Sequence, residues 1–136
     1  MKEVFVDTNL FIRYLTNDDP AKADRVASLL DEAKAGKVRL VTAEMVLAET
    51  VWVLESGYGL SQERIAHLVR AILATPGIDV ENGALVSRAL ELYETSKIDF
   101  VDGYIAAFME RRGIHEIFSF DRKHLSRLKH LQRREP

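Results

Sequence analysis

The sequence predicts an α/β fold in which helices cover both faces of a central parallel sheet. Short apolar segments of strand length alternate with longer segments whose apolar residues recur at helical spacing. Two of the short segments, VFVD and IFSFD, end directly in an aspartate. Regular alternation of strands and helices is typical of β-α-β units. A chain of 136 residues can bury its own core, so we expect a single domain over residues 1–136.

The first half of the chain is punctuated by residues that begin or end helices. Pro20 suits the first position of a helix, and Gly36 suits its end. Thr42 and Ser61 are predicted to cap the two helices that follow them. Strands are predicted at residues 4–6 and 38–41, and helices at 10–16, 20–35, 43–56 and 62–74.

The second half continues the alternation. Pro76 and Gly77 turn the chain into a strand at 78–80, Asn82 caps a helix that ends near 96, and Gly113 closes a helix over 100–112. A strand at 116–120 and a short basic helix at 122–128 follow, and the last residues form an edge strand or a tail. The central sheet is thus predicted to contain four to five short strands.

The composition excludes several classes of protein. Without cysteine, the chain has no disulfide, no thiol nucleophile and no cysteine-bound metal. No apolar run approaches the roughly 20 residues that span a bilayer, and the N-terminus reaches an acid after three apolar residues, unlike a signal peptide. We therefore expect a cytoplasmic protein without a membrane partner. The four histidines have no spacing typical of a metal site or a general base: His67, His115, His124 and His130.

Charge is unevenly distributed although the net charge is only −2. Residues 111–136 contain eight Lys or Arg against three acids. A basic segment on an otherwise acidic chain favours contact with a polyanion at one place, and a solvated surface is the alternative. The candidates for guiding a nucleic-acid backbone are Arg111, Arg112, Arg122 and Lys123.

Four acids occupy positions that need an explanation. Asp7 and Asp121 follow predicted strands, and ligands bind beyond the carboxyl ends of parallel strands. Capping of the next helix is the alternative for both. Glu49 is the only charge in MVLAETVWVL, and its helical neighbours are apolar, so we expect it on a buried face unless it reaches water at the edge. Asp102 is expected one turn inside an apolar helix.

A divalent cation would explain these acids. Asp99 lies three residues before Asp102, where two like charges repel each other, although Asp99 could also cap the helix. No set of buried lysines or arginines is available to neutralise the acids. Mg²⁺ and Mn²⁺ favour carboxylate oxygens and promote phosphodiester hydrolysis. Thr8 and Asn9 are suited to orienting Asp7 or a water molecule.

Four segments in this order resemble the PIN-domain nucleases, and within them the VapC-type toxins of toxin–antitoxin pairs: FVDTNLFIRYL, AEMVLAETVWVLESGYGLS, IDFVDGYIAAFMERRG and IFSFDRKHL. The resemblance implies a three-layer α/β/α fold and Mg²⁺- or Mn²⁺-dependent endoribonuclease activity. It places the catalytic, metal-binding acids at Asp7, Glu49, Asp102 and Asp121. It gives supporting roles to Thr8, Asn9, Asp99 and Ser119. It also implies a homodimer and a cognate antitoxin that presents an arginine to the carboxylates.

Two other functions are compatible with parts of the pattern. A haloacid-dehalogenase-like phosphatase also has an aspartate after its first strand, but it needs a second one two residues later, where this chain has Asn9. A non-catalytic interaction protein could instead use the acids to bind a basic partner.

Overall fold

The computed structural model describes residues 1–123 and 125–136. His124, which belongs to the predicted basic helix, lies outside the described residues. The chain forms two compact units, Met1–Gly83 and Ala84–Pro136, each with its own parallel strands.

The first unit contains a three-stranded parallel sheet and four helices. The strand order is β1-β2-β3, and the register pairs Val4 with Leu40 and Leu40 with Ile78. Helix α1 packs against both α2 and α3. The elements are β1 (Glu3–Phe5), α1 (Thr8–Thr16), α2 (Pro20–Lys34), β2 (Arg39–Thr42), α3 (Glu44–Ser56), α4 (Gln62–Leu73) and β3 (Ile78–Val80).

Local sequence explains where most of these helices begin. Pro20 occupies the first turn of α2, and the Ser61 side chain accepts the Arg64 N–H at the start of α4, as predicted. The prediction that Thr42 caps α3 is wrong, because Ala43 is the capping residue and makes no side-chain bond there. Thr42 instead ends β2.

The Thr42 hydroxyl ties together the edge of the sheet from which Asp7 emerges. It donates to the Val6 carbonyl at 2.9 Å, and the Val6 N–H donates to the Val41 carbonyl at 3.0 Å. The Glu81 N–H in turn donates to the Thr42 carbonyl at 3.0 Å. The carboxyl ends of β1, β2 and β3 are therefore joined by hydrogen bonds, and Asp7 follows directly from this junction.

Thr42→Val is expected to lower the free energy of unfolding by about 1–3 kcal/mol, because it removes the hydroxyl that satisfies a buried carbonyl. Thr42 is 1% exposed. Thr50→Val is the matched control: Thr50 is equally buried, but its hydroxyl donates to the Val46 carbonyl of its own helix, which keeps a helical N–H partner. Urea denaturation of both variants measures the difference. Equal losses would contradict a special role for Thr42.

The second unit contains α5 (Gly83–Thr95), which starts at the boundary, α6 (Phe100–Arg112), β4 (Glu116–Phe118), a single 3₁₀ turn (Leu125–Arg127) and β5 (Gln132–Arg134). Strands β4 and β5 are parallel, and Ile117 pairs with Arg133. A Cβ atom added to Gly103 would lie 2.8 Å from the Ala89 carbonyl oxygen. Helices α5 and α6 are thus packed closely at Gly103.

The predicted α/β class and the parallel strands are confirmed, and the last residues do form a strand. Among the described residues, five strands are hydrogen-bonded as a set of three and a set of two. The predicted helix at 122–128 is wrong for the residues that the structure describes there, because Arg122 and Lys123 are not helical and Leu125–Arg127 form a 3₁₀ turn. The Asp121 carboxylate accepts the Lys123 N–H at 2.9 Å, and such a local bond competes with helix formation. No helix in the described part of the chain has the length and apolar character needed to cross a bilayer.

Candidate functional site

Asp7 caps α1 and also borders a pocket of the first unit. Its Oδ1 atom accepts the Leu10 N–H at 3.3 Å, so the capping alternative is correct for this residue. The side chain is nevertheless exposed to solvent. Capping engages one carboxylate oxygen through one hydrogen bond, which leaves the group able to bind a ligand as well.

The pocket beside Asp7 has a volume of about 380 Å³ and contains a second predicted acid, Glu49. We call it the acid pocket; its polar lining consists of Asp7, Thr8, Asn9, Arg13, Glu49 and Tyr58. Two of the four predicted acids and both residues that follow Asp7 thus line one cavity. Helices α1 and α3 supply most of this lining.

Thr8 joins the two helices at this pocket. The residue is buried, and its hydroxyl donates to the Glu49 carboxylate. This bond fixes the Glu49 side chain of α3 against the first turn of α1. The sequence predicts Thr8 as an orienting residue for Asp7, and the structure shows it orienting Glu49.

The prediction that Glu49 lies on a buried face is wrong. Glu49 is exposed, and its neighbours Met45 and Trp52 are 83% and 64% exposed. The buried face of α3 instead carries Leu47 and Val51. Both faces of α3 are apolar, so the spacing of its hydrophobic residues cannot identify the one that packs on the core. Exposure makes Glu49 accessible to a ligand.

Arg13 brings a positive charge to the acid pocket, which the sequence analysis missed. Its Nη1 atom is 2.8 Å from Asp18 Oδ2, and the Tyr58 hydroxyl donates to the same oxygen at 2.5 Å. The Tyr58 hydroxyl and then the Arg13 guanidinium hold the pKa of Asp18 below its usual value. The signal was available, because Asn9 and Arg13 are four residues apart and share one face of α1.

Asp99 and Asp102 lie at the start of α6 in the second unit. Asp99 is the capping residue, although its side chain makes no capping bond. Asp102 is half-buried and belongs to the first turn, so the prediction that it lies one turn inside the helix is wrong. The positive end of the helix dipole favours acids at this position, which explains how two carboxylates can stand three residues apart.

Ser119 fixes the backbone at Asp121. The Asp121 N–H donates to the Ser119 hydroxyl at 3.0 Å, and Arg133 Nη1 donates to the Ser119 carbonyl at 2.8 Å. Asp121 is half-buried, and it accepts the Lys123 N–H as described above. The residue therefore stabilises a local turn. The alternative in which it caps a helix is not supported, because the described residues that follow it form no α-helix.

Sequence comparison identifies the family to which these elements belong. The chain matches the profile of the PIN domain over residues 4–131. This protein belongs to the PIN domain family. The resemblance of the four motifs to PIN-domain nucleases is thereby confirmed.

Two known proteins are similar to this PIN domain. It is 27% identical over 118 residues to a VapC ribonuclease of Aquifex aeolicus (strain VF5), a match that covers 87% of each protein. The crystal structure of Mycobacterium tuberculosis VapC20, a Sarcin-Ricin loop cleaving toxin, aligns over 90% of this chain and 92% of that chain, with 21% identity and a TM-score of 0.42.

The acid pocket of the PIN domain has the donor set of a hard divalent cation. Within each unit, the residues that the structure describes do not form a group of three or more Asp, Glu or His side chains able to hold a cation. Mg²⁺, however, is commonly held by one or two carboxylates together with water and substrate phosphate. Asp7 and Glu49 therefore fit such an ion, because both line an open pocket where water and substrate can complete the coordination.

The four basic residues predicted to contact nucleic acid lie in the second unit, and they differ in whether they interact with other side chains there. Arg122 pairs with Glu135 at 2.8 Å, and Arg133 pairs with the same carboxylate at 3.0 Å. These guanidinium groups, Arg122 before Arg133, hold the pKa of Glu135 below its usual value. Arg112 lies 5.7 Å from the centre of the Phe108 ring, and Arg111 and Lys123 are exposed. Part of this basic surface is therefore already neutralised within the unit.

Proposed function

We propose that this PIN domain is a metal-dependent endoribonuclease that hydrolyses RNA phosphodiester bonds as the toxin of a toxin–antitoxin pair in the cytoplasm. The observation that carries the proposal is the convergence of Asp7 and Glu49 on one solvent-open pocket. Membership of the PIN family supports it, as does the similarity to a VapC ribonuclease over most of the chain.

We propose that Asp7, Glu49, Asp102 and Asp121 hold Mg²⁺ or Mn²⁺. In the first unit the support is the shared pocket of Asp7 and Glu49. In the second unit it is the fixed backbone at Asp121 and the place of Asp102 in the first turn of α6, with Asp99 just before it. A bound cation would lower the pKa of water and offset negative charge on the reacting phosphate.

Neighbouring residues of the first unit orient the Asp7 and Glu49 carboxylates in the acid pocket. Thr8 keeps the Glu49 carboxylate in one orientation through its hydrogen bond. The capping bond from Leu10 keeps the Asp7 carboxylate at the pocket edge. Asn9 supplies a neutral donor and acceptor beside them, and Arg13 lines the same pocket with its charge shared with Asp18.

Purified protein incubated with total cellular RNA tests the proposal. We expect discrete fragments with Mg²⁺ or Mn²⁺ and none with EDTA, because without a cation no water is activated at the reacting phosphate. Intact RNA from folded protein in the presence of the cation would contradict ribonuclease activity and favour the non-catalytic alternative, in which the acids bind a basic partner. Release of phosphate from a phosphomonoester would favour the phosphatase alternative.

We also propose a homodimer and a cognate antitoxin that covers the acid pocket with an arginine. Met45, Trp52 and Phe5 are exposed apolar side chains of the first unit, and surfaces of this kind are common at subunit contacts. Light scattering is expected to give twice the 15.4 kDa chain mass for the wild type and one chain mass for Trp52→Glu. A monomeric wild type would contradict the dimer. Lys37→Glu is the control for added negative charge.

A further inference from the structure

A second cavity of the first unit adjoins the acid pocket and differs from it in charge. Its volume is about 400 Å³, and it lies between α1 and α2. Asp7, Asn9 and Arg13 line both cavities, so the two meet at the candidate acid Asp7. We call it the cationic groove, because its remaining charged lining consists of Lys22 and Arg25.

The cations of this groove are weakly engaged by the protein. Lys22 Nζ lies 3.9 Å from Asp19, and both side chains are about half exposed, so the pair contributes little. Arg25 is exposed and makes no hydrogen bond or ion pair with any residue that the structure describes. The Nε atom of Arg13 is buried and has no hydrogen-bond partner in the described chain, although Nη1 pairs with Asp18. Lys22 and Arg25 therefore keep charge and hydrogen-bonding capacity for a ligand, whereas the buried Nε atom of Arg13 is not accessible to one.

Lys22 and Arg25 are spaced to act together. They are three residues apart on α2, so their side chains project from the same helix face. Leu10, Val26 and Leu29 form the apolar part of the lining. Apolar contact suits the sugar and the base of a nucleotide, while the cations suit its phosphate.

We propose that the cationic groove binds an RNA backbone phosphate beside the bond that is cleaved at the acid pocket. The inference rests on the proposed function and assigns part of its substrate path. A strand that places one phosphate at Asp7 must continue past the edge of the acid pocket. The groove offers the continuation that has positive charge, and Arg13 borders both cavities.

RNA fits this groove better than an acidic peptide does. The carboxylates of an acidic peptide could pair with the cations of the groove, but they would leave its apolar lining without a partner. A nucleotide strand carries the phosphate and the apolar surface in one repeating unit. Phosphate contacts of this kind set affinity and salt dependence but not sequence preference.

The test compares two matched double variants. Lys22→Gln/Arg25→Gln removes one lysine and one arginine from the groove. Lys37→Gln/Arg64→Gln removes the same residue types from exposed positions that line neither cavity. Binding of a fluorescent single-stranded RNA oligonucleotide is measured in EDTA by anisotropy over a range of salt concentrations, so that the readout does not depend on cleavage.

We expect the groove variant to bind roughly tenfold more weakly in low salt, and its salt slope to fall by about 0.7, which is the contribution of one phosphate contact to a single strand. The control is expected to remain within about twofold of the wild type. Lys22→Arg/Arg25→Lys, which keeps the charges, is expected to restore both values. Far-UV circular dichroism establishes that each variant is folded.

Results that contradict the groove can be distinguished from results that contradict the proposed function. Equal affinity and equal salt slope for the two double variants would overturn the groove while cleavage by the wild type stands. Displacement of the RNA by poly-glutamate of equal charge as effectively as by unlabelled RNA would overturn it in favour of an acidic peptide. A wild type that neither binds nor cleaves RNA would overturn the proposed function and the groove together.

Discussion

Asp7→Asn is expected to abolish metal-dependent RNA cleavage while the protein stays folded. The substitution removes the negative charge at the pocket edge but keeps an oxygen that accepts the Leu10 N–H. Asparagine caps helices about as well as aspartate does. A neutral amide is a poor ligand for a hard cation, so the cleavage rate should fall by about 100-fold or more.

A second substitution at position 7 separates the role of Asp7 in helix capping from its proposed role in RNA cleavage. Asp7→Ala removes both the charge and the cap, so it should lose activity and also about 1 kcal/mol of stability. Asp24→Asn is the control for loss of an aspartate charge, because Asp24 is exposed on α2 and lines neither cavity. Cleavage of RNA in Mn²⁺ and urea denaturation give the two readouts. Wild-type cleavage by Asp7→Asn would contradict the assignment of Asp7.

Comparison of Asp7 with Asp121 shows what the sequence predicts well. Both aspartates follow short apolar segments, and the structure places each within three residues of the end of a parallel strand. The pattern works here because Val, Ile and Phe favour strands, although β1 and β4 are mostly exposed, with Phe5 at 59% and Phe118 at 64%. The bounds of helix α2, which begins at Pro20, were also predicted to within one residue.

Glu49 shows where sequence patterns fail. An apolar sequence around a charge indicates a buried face only if the helix has one apolar face, and α3 has two. Asp102 misled for a different reason. The helix over 100–112 was predicted with its observed bounds, but Asp102 is only its third residue and so lies in the first turn, where the helix dipole favours an acid.

Contacts between distant residues account for the features that were missed. Asp18, Arg13 and Tyr58 form one hydrogen-bonded cluster, although 40 residues separate Asp18 from Tyr58. Thr42 was assigned to a helix cap by its local sequence, but its hydroxyl bonds to Val6, 36 residues away. Neither pairing follows from periodicity or spacing, because both depend on how the helices and strands of the first unit pack.

Gly77→Ala is expected to destabilise the protein by about 3 kcal/mol or more, through two effects at one position. Gly77 has a φ of +87°, which a residue with a Cβ atom rarely adopts. An added Cβ atom would also lie 2.5 Å from the Ala33 carbonyl oxygen and 2.8 Å from the Ala33 Cβ atom. Ala33 is buried in α2, so the contact can be relieved only by moving the helix or the strand.

Gly36→Ala is the control that measures the cost of the positive φ without the contact between a new Cβ atom and α2. Gly36 has a similar φ of +79°, but a Cβ atom there would meet nothing within 4 Å. Its substitution should cost only about 1–2 kcal/mol, so the difference between the variants in urea denaturation measures the contact with α2. The Gly77 carbonyl accepts the Leu40 N–H at 2.9 Å, and movement of Gly77 would therefore loosen the pairing of β2 with β3. Because the far end of β2 is tied through Thr42 to Val6, we expect Gly77→Ala to reduce RNA cleavage as well. Equal losses of stability in the two variants would instead show that α2 yields to the new methyl group.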